Sequence, residues 1–201
     1  MSGASAGNGN GNDNDNGNGN GKVVVNRCMS LDGFIAGPGD AMDWVFDFMP
    51  GGTETMFPEV MAATGAALIG RRTHEVGMRM SDPDNDEPEP GYDAGALFVL
   101  THEPPAKPYP GIAFLTTDIK DAVATALRAA GGKNLEILGA DVAAQCLRAG
   151  LVDEILVFVL PVLLGDGVRF FSSPGLDRID LEPLETQRSG DLTMLRFRVL
   201  K

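Results

Sequence analysis

The sequence is short of cysteine, with two in 201 residues, and of aromatic residues, at 6%. Cys28 and Cys146 form no CxxC pair, so neither a disulfide framework nor a zinc site is expected. Their apolar surroundings read as the buried faces of a strand and a helix, where free thiols behave as small core residues. No stretch of about 18 apolar residues occurs, so no segment is expected to span a membrane. A secretory leader needs a basic start and an apolar core; the first residues offer neither, and a cytoplasmic protein is expected. Basic residues are outnumbered, 16 Lys and Arg against 28 Asp and Glu, for a net charge of −12. That balance argues against nucleic acid and anionic membrane surfaces as partners. It still admits a small phosphorylated ligand if a few arginines are placed together.

Residues 7–21 contain only Gly, Asn and Asp. With no side chain to bury and much backbone entropy to lose, residues 1–21 are expected to be a disordered tail. The remaining 22–201, about 180 residues, suit one domain with a sizeable core.

The most informative stretch is LEILGADVAAQCLRAG, 135–150. An apolar strand over 135–138 meets a small-residue break at Gly139, Ala140 and Asp141. Val142, Ala143, Cys146 and Leu147 then recur at helical spacing, and Gly150 stands where a left-handed cap belongs. A helix that starts off a strand end directs its free N–H groups and positive dipole end above the sheet, which favours phosphate. Read alone, the segment is equally an ordinary strand-to-helix turn.

Along the chain, 22–29 reads as a central strand, and 37–40 (GPGD) as a turn-rich loop. A short helix is expected over 43–49, carrying the single tryptophan, Trp44. Residues 53–64 read as a helix capped by Thr53 with Met56, Phe57, Val60 and Met61 on one face, although Pro58 lies inside it. Strand 66–69 leads through Gly70-Arg71-Arg72-Thr73 to a helix over 74–80, then to an acidic, Pro-rich and solvated loop over 81–92. Strands 96–100 and 112–115 precede a helix over 119–130, capped by Thr117 or Asp118 and stopped by Gly131-Gly132. After 135–150 come a continuously apolar strand, 154–160, a Gly-rich loop over 163–171, and two strands, 181–187 and 192–200, joined by a turn at 188–191. Strands and helices alternate as far as Leu160 and a hairpin closes the chain. The expected fold is α/β: three αβα layers around a mostly parallel sheet of about eight strands, with an antiparallel C-terminal edge.

Ligands of such sheets bind outside the carboxyl ends of the strands. Three ends carry suitable chemistry: Gly70, Arg71, Arg72 and Thr73; Thr101 and His102; Gly139, Ala140 and Asp141. Two helix N-termini and two arginines would together accept a pyrophosphate and a further phosphate. Taken singly, Arg71 and Arg72 are more often surface ion-pair partners; combined with the other strand ends, the phosphate reading is the better one. Competing motifs fail. Gly165-Asp166-Gly167 has Phe170 in the third glycine's place, no G-x-x-x-x-G-K-[ST] occurs, and the zinc-deaminase signature is absent. No metal site is expected.

These residues carry a resemblance. Met29-Ser30-Leu31-Asp32-Gly33-Phe34-Ile35-Ala36-Gly37 resembles the opening motif of the dihydrofolate reductase-like superfamily, in particular the reductase domain of riboflavin biosynthesis (the RibD C-terminal type). Leu68 to Thr73, Phe98 to His102, Ile137 to Ala140 and Pro161 to Phe171 are similar to its later motifs, in order and spacing over 22–201. The resemblance implies an NADPH-dependent reductase that passes hydride to a pyrimidine such as 5-amino-6-(5-phosphoribosylamino)uracil, a pterin or a related heterocycle. It implies that Gly70, Arg71, Arg72 and Thr73 hold the pyrophosphate and the 2′-phosphate, and that Thr101 and His102 flank the adenosine. Gly139 and Ala140 would meet the pyrophosphate, Leu138, Asp141 and Val142 would join them in binding the cofactor, and Ile35 and Ala36 would lie against the nicotinamide. It also implies a homodimer. The fourth motif is usually Gly-Gly, and Ala140 departs from it.

Hydride comes from the cofactor, so the protein must position it and manage one proton. Asp32 is the first candidate for substrate hydrogen bonding or proton delivery, with a pKa raised by partial burial; the alternative is that it only caps the Asp-Gly turn. Asp43 is the second. Ser30, Trp44 and Phe48 are candidates to bind a flat heterocyclic substrate, while aromatics at this spacing more often form plain core. A nucleotide-binding protein of the same fold without catalysis is the alternative function.

Overall fold

Three consecutive valines start the strand Val23–Ser30 (β1), and their burial on both sides, at 4%, 4% and 0% exposure, makes it central to the molecule. The structure is a computed structural model and describes residues 21–48, 58–80, 95–107, 109–172 and 174–201. After β1 come Phe34–Ala36 (β2), Pro58–Ala63 (α1), Thr64–Gly70 (β3), Arg71–Met80 (α2), Ala96–Leu100 (β4) and Ile112–Leu115 (β5). Ile119–Ala129 (α3), Asn134–Leu138 (β6), Ala140–Arg148 (α4), Glu154–Leu160 (β7), Val168–Arg169 (β8), Leu181–Ser189 (β9) and Leu192–Val199 (β10) complete the chain.

Eight strands form one sheet in the order β5-β4-β3-β6-β1-β7-β10-β9. The six from β5 to β7 run parallel, and β10 is antiparallel to both β7 and β9. The expected mostly parallel sheet with an antiparallel C-terminal edge is therefore what the chain builds. β2 and β8 pair separately as a small antiparallel sheet.

One face of the large sheet carries the main core, where Val25, Leu68, Leu135 and Ile137 meet Ala122 and Ala126 of α3 and Val142 and Cys146 of α4. Each buried Val, Leu or Ile side chain contributes roughly 1.5–3 kcal/mol as an upper estimate. The other face holds two smaller clusters. One gathers Val24, Val45, Phe158, Leu160, Leu192 and Met194, and the other Ala67, Ile69, Val99 and Leu138. Between them on that face lies Glu136, 1% exposed, which accepts hydrogen bonds from Asn26 Nδ2 (3.0 Å) and Thr64 Oγ1 (2.7 Å). A buried carboxylate is tolerable only with such donors.

Local signals explain most element ends. Asp118 caps α3 by accepting the N–H groups of Lys120 and Asp121, worth about 1 kcal/mol. Gly131 and Gly132, both at positive φ, stop it, and Gly150 (φ 66°) follows α4 as expected. Some boundaries differ from the sequence reading. Residues 71–73 are the first turn of α2, not a loop before it, and α4 begins at Ala140. The expected helix over 43–49 is a single 3-10 turn at Asp43–Val45. Of the helix expected over 53–64, Pro58–Ala63 is helical and Thr64 opens β3, its hydroxyl oxygen 2.9 Å from Val60 O. Thr53, Met56 and Phe57, together with Met49, the tail 1–20 and the acidic loop 81–92, lie outside the described residues.

Candidate functional site

From β3 the chain passes through α2 to β4 on one side; from β6 it passes through α4 to β7, beyond β1 on the other. β3 and β6 are neighbours, so the connections diverge between their carboxyl ends and leave a crevice there. The last residue of β3, Gly70, and the residue after β6, Gly139, mark its two lips.

Those lips touch. A β-carbon on Gly139 would fall 2.5 Å from Thr73 Oγ1, and one on Gly70 would fall 3.2 Å from Val142 Cγ2. Gly139 adopts φ 106° and ψ 141°, a conformation open only to glycine, and receives the Ala143 N–H at its carbonyl. No side chain caps α4, so its first N–H groups keep their donor capacity toward the crevice. Asp141, in that first turn, turns its carboxylate to Gln145 Nε2 (2.8 Å). The N-termini of α2 and α4 thus stand side by side, with Gly70 partly buried and Gly139 buried between them; two helix N-termini on one edge are an arrangement that favours phosphate. Ala140 occupies the first helical position, where a β-carbon is harmless.

Arg71 joins this crevice to the end of β4. Its guanidinium lies 3.6 Å from Glu103 and 3.5 Å from Glu75. Thr101, 7% exposed, closes the same turn: its N–H donates to Leu115 O, and its hydroxyl accepts from Glu103 N (3.1 Å). His102 is exposed beside it. Arg72 turns the other way, to Asp40 in the loop after β2, at 2.6 Å. The structure therefore brings Gly70, Arg71, Arg72, Thr73, Thr101, Gly139 and Val142 to one edge of the sheet, with Leu138 buried beneath. Asp40 and Glu103 were not singled out in the sequence; each pairs with an arginine more than thirty positions away, and no local pattern announces that.

The other end of the edge is built by β2. Ile35 and Ala36 are 5% and 7% exposed, and Gly167 packs so tightly on Ala36 O that any β-carbon there would collide. Arg169 lies 4.4 Å above the Phe34 ring and donates to Asp32 O.

Two expectations are corrected here. Asp32 was expected to hold a raised pKa as a proton donor. Instead its carboxylate accepts from Ser30 Oγ (2.6 Å), Leu164 N (3.1 Å) and Gly165 N (2.8 Å). The Ser30 hydrogen bond first, and then the two backbone donors, hold its pKa down to about 2. An anion so held braces the 163–165 loop against the β1–β2 turn, and the expected upward shift of its pKa is not found. Ser30, expected among substrate-binding residues, is fully buried: its hydroxyl donates to Asp32 and accepts from Phe34 N. Asp43, in contrast, is exposed at the start of its 3-10 turn, and Trp44 and Phe48 are half-buried against the Val45, Phe158 and Leu192 cluster.

Neither cysteine is in a disulfide, and burial pushes each thiol up to about 12. His74, on α2, packs edge-on between Tyr109 and Phe114, and burial lowers its pKa. Two concavities lie away from the crevice. An apolar groove of about 350 Å³ runs over β7 and β10 between Leu147, Phe171 and Leu176, and one of about 140 Å³ lies beside Glu136 and Arg196.

Comparison with known proteins places this geometry. Residues 21–195 match the RibD C-terminal domain family. The uncharacterized protein YwjB of Bacillus subtilis (strain 168) is 25% identical over 151 residues, which is 75% of this chain and 82% of that protein. The solved structure of a putative riboflavin biosynthesis protein from Shewanella sp. PV-4 superposes with a TM-score of 0.74 at 25% identity, covering 90% of this chain and 99% of that one. Dihydrofolate reductase from Enterococcus faecalis, solved with NADP(H) and RAB-propyl, superposes with a TM-score of 0.59 at 13% identity, over 90% of this chain and 98% of that one. The last likeness is one of fold: the sheet is dihydrofolate reductase-like. Among the described residues, no helix is long and apolar enough to cross a membrane.

Proposed function

Because the chain belongs to the RibD C-terminal domain family, we propose that it is an NADPH-dependent reductase that transfers hydride to a pyrimidine, pterin or related heterocycle. The observation that carries this reading is the apposition of Gly70 and Thr73 with Gly139 and Val142. It opens two helix N-termini onto one crevice whose rim holds Arg71 and Arg72. A dinucleotide's pyrophosphate matches the backbone donors at the start of α4, and the arginines match the 2′-phosphate. Thr101 and His102 would flank the adenosine, and Ile35 and Ala36 the nicotinamide. The names of two relatives support the cofactor and substrate class: the Enterococcus enzyme is solved with NADP(H), and the Shewanella protein is named for riboflavin biosynthesis.

When bound, the cofactor supplies the hydride. The chain's own work is to position it: buried β2 gives Ile35 and Ala36 a fixed place, and Asp32 fixes the neighbouring 163–165 loop. With Asp32 held ionised, Asp43 is the proposed carboxylate for the substrate, with Trp44 and Phe48 against its ring. The protein is also proposed to pair as a homodimer, its exposed edge strand β9 presenting Leu181 and Leu184. Sedimentation would test that by giving the dimer mass. The function is tested by following NADPH oxidation with dihydrofolate and with the deaminated riboflavin precursor. Turnover of either supports it; tight NADPH binding with no turnover on any heterocycle favours a non-catalytic nucleotide binder.

A further inference from the structure

Asp40 is the one described non-glycine residue in the left-handed region, at φ 65°. Few residue types accept that conformation, Asp and Asn among them, and it persists where surroundings enforce it. Here the surroundings are two guanidinium groups of one helix. Asp40 Oδ1 lies 2.6 Å from Arg72 Nη2, and Oδ2 lies 3.1 Å from Arg72 Nε and 3.5 Å from Arg79. The loop around it is closed by the Gly37 N–H donating to Ala41 O (2.8 Å). Loop 37–41 therefore starts beside Ile35 and Ala36 and is tied, through one carboxylate, to the first turn of α2. That turn is the rim of the crevice.

The tie also sets the local charge. Arg71, Arg72 and Arg79 are matched by Glu75, Glu103 and Asp40, so the rim is balanced and not strongly positive. Of the three carboxylates only Asp40 is largely sheltered, at 15% exposure. A phosphate monoester carries more charge and more acceptor oxygens than a carboxylate, so it competes for a guanidinium that Asp40 already holds. A ligand lacking that phosphate has no differential interaction with the tied and untied states and cannot shift them.

We infer that Asp40 is a latch that sets cofactor discrimination: it holds Arg72 until the 2′-phosphate takes the guanidinium, and its release frees loop 37–41 beside Ile35 and Ala36. The inference rests on the dinucleotide reading above and adds a residue and a coupling to it. NADPH would free the loop and NADH would not.

Trp44, the single tryptophan, reports on the loop, because its Nε1 donates to Ala41 O (3.2 Å). The experiment titrates 2′,5′-ADP, 5′-AMP, NADPH and NADH into the full chain and into Asp40→Asn, by calorimetry and by Trp44 emission. Asparagine keeps the size and tolerates the left-handed backbone while removing the charge. Asp40→Asn is expected to bind 2′,5′-ADP and NADPH about two- to fivefold more tightly, the scale of a partly exposed ion pair, and 5′-AMP and NADH unchanged. Adding Arg72→Gln should abolish the gain. In the wild-type chain 2′,5′-ADP should change Trp44 emission and 5′-AMP should not. Wild-type binding of 2′,5′-ADP with no gain in Asp40→Asn, or a weakening, overturns the latch alone. If no phosphorylated nucleotide binds either chain, the latch falls together with the dinucleotide reading.

Discussion

Gly139 and Thr73 meet so closely that the space a β-carbon would need on one is held by the hydroxyl of the other, 2.5 Å away. This contact joins the start of α4 to the first turn of α2 and fixes the width of the crevice. Gly139→Ala adds both that collision and a strained φ of 106°, and should destabilise the fold by about 1–3 kcal/mol. Thr73→Ala in the same chain removes the collision and leaves the strain, so urea unfolding should show part of the loss recovered. Full recovery would mean that φ at position 139 costs nothing.

Asp32 makes a prediction with a definite sign. Its folded-state pKa of about 2 lies below the ordinary 3.8. Its contribution is therefore complete above about pH 4 and fades as the pH falls toward about 2. Asp32→Asn should melt earlier than wild type near neutral pH, and the two melting curves should converge through that window. A gap that grows on acidification would contradict the brace. If Asp43 is the carboxylate that serves the substrate, as proposed, turnover by Asp32→Asn should persist.

Glu154, at 1% exposure, lies between Lys22 Nζ (2.7 Å) and Arg196 Nε (2.6 Å). Breaking a fully buried ion pair costs roughly 3–5 kcal/mol. Here both cations reach water, so Glu154→Ala should cost less, about 2 kcal/mol by chemical denaturation. A neutral result would show that the cations are fully satisfied by solvent.

The thiols should be inert. Burial pushes both Cys28 and Cys146 up to about 12, so neither carries appreciable thiolate near neutral pH. Alkylation of the native protein should be slow and should accelerate only on unfolding. Fast native labelling would contradict the packing.

The fold was largely legible because its signals are local. Continuous apolar runs such as 154–160 mark buried parallel strands, Asp118 marks a helix start, and Gly150 a helix end. The crevice was legible as three strand ends, since the rule that ligands sit beyond the carboxyl ends requires only the strand order. What was not legible depends on pairing across the chain. Asp32 was expected to be a half-buried acid. The donors that ionise it include Leu164 and Gly165, some 130 positions on, and no neighbouring residue signals their approach. Asp40 sat in a loop read only as turn-rich, and its two arginines come from α2. Ser30 was read as facing the substrate, but its place on β1 turns its hydroxyl into the β1–β2 turn.

The most direct test of the central claim, a dinucleotide gripped at the apposed starts of α2 and α4, is the pair of dissociation constants for NADPH and NADH in the wild-type chain and in Arg71→Ala/Arg72→Ala. The account predicts that the double variant loses about tenfold or more for NADPH, as loss of charged hydrogen bonds to a phosphate requires, and much less for NADH. Equal losses for both nucleotides, or no binding of either by the wild-type protein, would contradict it.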